Sequence, residues 1–136
     1  QLMVSFSGIN WLAVVVGVVV SNVLGFLWYG PLFGNTWLRI IGKKREDIQA
    51  SPSMYLVTAV ASLVTMVVLA MVVAAFGAES FVDGLVAGAV AFIGLGATAT
   101  FVYTTFSGPP VGAWFLLAAY QLIVHGVMGG VFATWK

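Results

Sequence analysis

Four long apolar runs, separated by short polar breaks, make up most of this chain. They lie at about 11–30, 53–76, 81–106 and 111–135, and each reaches the roughly 20 residues that cross a bilayer. A helix on the surface of a soluble protein carries its apolar residues on one stripe. These runs are apolar all round, as helices facing lipid must be. The pattern predicts an all-α integral membrane protein: a four-transmembrane-helix bundle over 1–136, with a short interfacial helix after the first span.

The breaks carry recognisable end signals. Asn10 is placed to cap the first helix. Ser51-Pro52 puts a cap residue and a first-turn proline at the start of the second, and Gly77 suits its C-terminal cap. Ser80-Phe81-Val82-Asp83 reads as a Ser-x-x-Asp capping box opening the third helix. Ser107-Gly108-Pro109-Pro110 is a turn before the fourth. The stretch Leu24–Trp37 organises the rest: two adjacent aromatics, a Gly30-Pro31 break, then Asn35–Ile41 as the interfacial segment, with Asn35 as its cap.

Side-chain size and ring placement refine this layout. Gly17, Ser21 and Gly25 recur every four residues on the first helix, and Gly84 with Gly88 and Gly126 with Gly130 are Gly-x-x-x-Gly pairs. Such small-residue faces let another backbone approach closely. Trp11, Trp28, Tyr29, Trp37, Trp114 and Trp135 fall near predicted helix ends, where amphipathic rings anchor at headgroup depth.

Composition removes several function classes. The chain is 62% hydrophobic and 7% charged, with mean hydropathy +1.11, against roughly 25% charged residues in a soluble domain. A net charge of +1 gives no reason to expect a nucleic-acid partner, and the absence of cysteine rules out disulfides and thiol chemistry. The first run lacks a positive n-region and a small-residue cleavage site, so it reads as a span rather than a signal peptide. Arg39, Lys43, Lys44 and Arg45 share one loop; the other side carries Lys136, Glu79 and Asp83. The positive-inside rule predicts that loop in the cytoplasm and both termini outside, in a membrane of the bacterial cytoplasmic type.

Ile9-Asn10-Trp11, Leu24-Gly25 and the run Trp28-Tyr29-Gly30-Pro31-Leu32-Phe33-Gly34 with Trp37 resemble the first segment of a family of small four-helix membrane proteins. That family is catalogued as domain of unknown function seventeen-sixty-one. Gly84-Leu85, Ala119-Tyr120, Gly129-Gly130 and Trp135-Lys136 extend the resemblance over nearly the whole chain. It implies the four-helix fold and a membrane location, and brings no activity.

Polar side chains placed near mid-membrane are the candidates for chemistry: Ser21 and Asn22, Ser62 and Thr65, Thr98 and Thr100, and Gln121 with His125 one helical turn apart. Their simplest role is interhelical hydrogen bonding, at about 0.6 kcal/mol per bond. His125, the only histidine, is also a candidate proton carrier or haem ligand. A zinc site lacks further ligands, and no hydrolase, metalloprotease or phosphate-binding motif occurs, so no enzyme and no cofactor are expected. Two functions remain. One is a non-enzymatic helix-packing protein, a homo-oligomer or accessory subunit of a larger membrane complex. The other is a small-solute or proton channel using a polar belt of Asn22, Ser62, Thr65, Gln121 and His125. Exposed small-residue faces would favour the first, and a continuous polar cavity the second.

Overall fold

Asn10 begins the first span by accepting the Ala13 amide on its side chain at 3.1 Å. The computed structural model describes residues 6–136. Helix α1, Trp11–Leu27, continues through a π-helical turn, Trp28–Leu32, to complete a 22-residue span. The turn has a local cause. Pro31 has no amide to donate, and Gly30 leaves helical geometry at φ −110° and ψ −105°. The Phe33 amide then reaches back five residues to the Trp28 carbonyl at 2.8 Å. The helix therefore bends where the Gly-Pro pair interrupts its ladder.

Helix α2, Gly34–Ile41, is the short segment beyond the bend. Asn35 does not cap it: Phe33 holds the cap position without a side-chain bond. Gly42 ends it at φ 71°, the left-handed conformation that a residue with a Cβ enters at a cost. A 3₁₀ turn, Arg45–Asp47, leads toward α3, Pro52–Ala75, whose Ser51 hydroxyl accepts the Met54 amide at 3.4 Å. Gly77, at φ 66°, turns the chain after α3. The third span is α4, Phe81–Ala91, a π-helical segment, Phe92–Ala97, and α5, Thr98–Phe106. Ser80 caps α4 through the Asp83 amide at 3.0 Å, one half of the expected capping box. Helix α6, Val111–Thr134, is the fourth span. Four helices are thus long and apolar enough to cross a membrane, and no strand occurs among the described residues.

Helix α6 is the hub and touches α1, α3, α4 and α5. Its closest neighbour is α4, because both helices lack side chains where they meet. A Cβ on Gly84 would strike the Gly129 carbonyl, and one on Gly88 the His125 carbonyl. Gly129 therefore provides the closest face on α6. Gly130 accommodates the Phe81 ring, 2.5 Å from where its Cβ would stand. Gly126 is not a close-approach position. A Cβ there would meet Leu85 Cγ at 3.6 Å, an ordinary contact.

The small-residue stripe of α1 is also spent inside the bundle. Gly17 leaves room for Met66 and Met128, and Gly25 for the Tyr120 hydroxyl. Ser21 is buried; its hydroxyl donates to the Val18 carbonyl at 3.1 Å, and its own carbonyl accepts the Tyr120 hydroxyl.

The core is one-sided. Ala13, Val14, Met66, Leu69, Val73, Val124, Met128 and Phe132 are buried together in the half of the bundle near Asn10 and Trp135. Toward the charged loop Trp28, Leu38 and Ala113 are still buried, and the packing opens on the side of α3 and α5. Helix α5 buries no residue, and Met54, Tyr55, Leu56, Val57 and Val60 of α3 are 52–67% exposed.

Candidate functional site

The expected polar belt separates into two places. Asn22 projects from α1 toward α3. Its amide donates to the Val18 carbonyl at 2.8 Å and to the Ser62 hydroxyl at 3.1 Å, and Ser62 in turn donates to the Thr58 carbonyl at 2.8 Å. This chain of bonds satisfies polar groups that lipid cannot, and ties the first two spans together. Thr98 and Thr100 return their hydroxyl protons to the Gly94 and Gly96 carbonyls at 2.8 and 2.9 Å. Thr100 also accepts the Trp114 ring N–H at 3.0 Å.

His125 faces elsewhere. Its Nδ1 lies 2.7 Å from the carbonyl oxygen of Gln121, one turn earlier on α6. The i, i+4 pair therefore meets through the Gln121 backbone, and the Gln121 side-chain amide takes no part. The imidazole lies against the Phe92 ring, with centroids 4.9 Å apart and planes inclined at 36°. Phe92 reaches that position because it lies one turn beyond Gly88 on the face of α4 that meets α6, and because Gly96 has no side chain. A Cβ on Gly96 would come within 2.7 Å of the Phe92 ring. Beside the two rings lies a lateral groove of about 320 Å³ between α3, the π-helical segment and α6. Val64, Thr65, Val68, Leu95 and His125 line it. Thr65 spends its hydroxyl proton on the Ala61 carbonyl at 3.0 Å. Asn22, Ser62 and Gln121 do not line this groove.

A third constellation gathers at the bend of the first span. Trp28 is 9% exposed, and its ring N–H donates to the Leu116 carbonyl of α6 at 3.1 Å. It points inward and clamps two spans, so the ring expected as an interfacial anchor is packed inside the bundle. Trp11 and Trp135, 53% and 39% exposed, do face outward at the far end. Around Trp28 stand Phe33 at 4.5 Å and Tyr120 at 6.3 Å, centroid to centroid; Tyr29 contacts Trp37 at 5.1 Å and Tyr120 at 6.2 Å. Gly34 completes the knot, since a Cβ there would lie 2.7 Å from both the Tyr29 carbonyl and the Arg45 guanidinium. The Trp-Tyr-Gly-Pro-Leu-Phe-Gly motif thus folds a bent helix end onto α6, a packing task visible in its side-chain contacts.

Sequence reasoning missed the His125–Phe92 stack and the role of Gly129. The alternation Ile93-Gly94-Leu95-Gly96 signals a weakened helix, but only the register of α4 against α6 shows which ring enters the gap. Among the described residues no three side chains of the His, Cys, Asp or Glu types converge as a metal site.

Neither curated proteins nor solved structures yield a match to this chain. A family model does, over residues 12–133, which include all four spans and the Trp28–Trp37 motif. The chain belongs to the family described as Protein of unknown function (DUF1761).

Proposed function

We propose that this integral membrane protein works without catalysis, as a subunit that pairs laterally with a second copy of itself. The observation that carries this reading is the one-sided core. The α3 residues Met54–Val60 and the whole of α5 contribute no buried side chain, and Tyr55, Phe101, Tyr103 and Phe106 are 42–85% exposed there. Aromatic side chains offer large contact areas at low entropic cost, and two-fold pairing of one surface patch is the commonest closed assembly. The small-residue faces do not support the reading, since the bundle already uses them. Conduction has less behind it, because Asn22 and Ser62 are bonded to each other and His125 opens sideways into an apolar groove.

The chain has no cysteine, so single-cysteine variants report cleanly. Val57→Cys, on the open half, is expected to cross-link between two chains in native bilayers. Val86→Cys, at a 51% exposed position on α4, is expected to stay monomeric. The intact assembly should weigh twice 14.3 kDa by native mass measurement. A monomer mass with no Val57→Cys cross-link rejects the proposal.

The orientation we propose places Arg39, Lys43, Lys44 and Arg45 in the cytoplasm, following the positive-inside rule. Lys44→Cys should then react only with reagents admitted to the cytoplasm, and Ser80→Cys with impermeant reagents added outside. The reverse pattern inverts the protein.

A further inference from the structure

We propose that the lateral groove beside His125 is a binding site for a lipid-soluble phenol: an aromatic ring bearing a hydroxyl donor and an apolar body. The argument starts from one hydrogen bond. A carbonyl oxygen can only accept, so the 2.7 Å contact with the Gln121 carbonyl fixes the proton of a neutral imidazole on Nδ1. Nε2 is then a lone-pair acceptor, and it has no hydrogen-bond partner among the described residues. His125 lies about 21 Å along the α6 axis from Val111 and about 14 Å from Thr134, at hydrocarbon depth. Lipid tails offer no donor there, so the acceptor is satisfied only by what enters the groove. The neighbouring hydroxyl cannot serve, because Thr65 already donates to Ala61.

The walls select the rest of the ligand. Val64, Val68, Val72 and Leu95 present hydrocarbon, and Phe92 presents a ring beside the imidazole. About 320 Å³ admits a substituted aromatic ring, with its tail left in the bilayer. A phenol satisfies both halves of this surface. Its O–H donates to Nε2, and its ring lies among apolar and aromatic side chains. A methyl ether or a carbonyl compound of the same shape brings only acceptors and leaves Nε2 unpaired. The site is also built from several separate features. Phe92 stands where α4 gives way to the π-helical segment, Gly96 gives its ring room, and Gly88 brings α4 against the His125 backbone. Insertions of this kind in helices recur at functional sites.

A single histidine makes the test direct. Protein carrying ¹⁵N-histidine in phosphatidylcholine nanodiscs should show one imidazole, with Nε2 unprotonated. Adding 4-nonylphenol should move the Nε2 resonance and saturate. 4-Nonylanisole, which keeps the body and lacks the donor, should bind about tenfold more weakly or leave Nε2 unmoved. Val68→Trp fills the groove from a half-exposed position and leaves the Gln121 bond in place, so it should abolish the saturable shift while the helical fold is retained. An Nε2 that already carries the proton overturns the proposal. So does an equal response to the ether, a shift that never saturates, or a response unchanged by Val68→Trp.

Discussion

Gly88→Val is expected to force the third and fourth spans apart and to lower stability by about 3 kcal/mol. The reason is what stands opposite. A flexible side chain can swing away from an added Cβ, but at Gly88 the obstacle is the His125 backbone carbonyl, held in the α6 ladder. Relief requires one helix to move bodily, which also disturbs Gly84 against Gly129. Gly17→Ala should be milder, because it meets the Met66 side chain, with Sδ at 2.5 Å, and a methionine can change rotamer. Gly126→Ala is the internal control. It has room, replaces a poor helix former with a good one, and should be neutral or slightly stabilising. Reversible unfolding in mixed micelles measures all three. Equal stability of Gly88→Val and Gly126→Ala would mean that α4 and α6 do not meet as described.

Trp28→Ala should cost about 3–5 kcal/mol, the range for truncating a buried aromatic side chain. It removes the ring that packs on Phe33 and Tyr120, and the N–H that satisfies the Leu116 carbonyl. Trp28→Phe keeps most of the ring and loses the donor, so about 1 kcal/mol should go. Trp11→Ala, at a half-exposed position facing outward, should change stability by less than about 0.5 kcal/mol. If Trp28→Ala behaves like Trp11→Ala, the knot does not hold the bend against α6.

The spans were legible because hydrophobicity in a bilayer is a property of every position in a run, and needs no knowledge of neighbours. The caps at Asn10, Ser51 and Ser80 were legible because capping is local. Packing partners were not. Gly126 and Gly129 look alike in sequence, and only the rotation of α6 against α4 decides which one meets a backbone. Trp28 has the composition and position of an interfacial anchor, yet it continues the inward face of Ser21 and Gly25 and packs against α6. The polar residues expected to form one belt face separate neighbours. Depth follows from counting along each helix, whereas azimuth around the bundle depends on crossings that no single helix encodes. Asn22 meets Ser62 on α3, whereas His125 meets Phe92.

The π-helical segment Phe92–Ala97 also acts as a phase shifter. It takes up roughly one residue more than an α-helical turn of the same height, so everything after it is rotated by about 100° relative to an uninterrupted helix. Gly84 and Gly88 before it, and Thr100 after it, therefore belong to different helical wheels, although they lie on one continuous span. Removing one residue within the segment would restore a uniform ladder and swing Thr100 away from the Trp114 N–H, while the contacts of Gly84 and Gly88 stayed in register. Loss of a residue there would thus be small as a change in length and large as a change in direction.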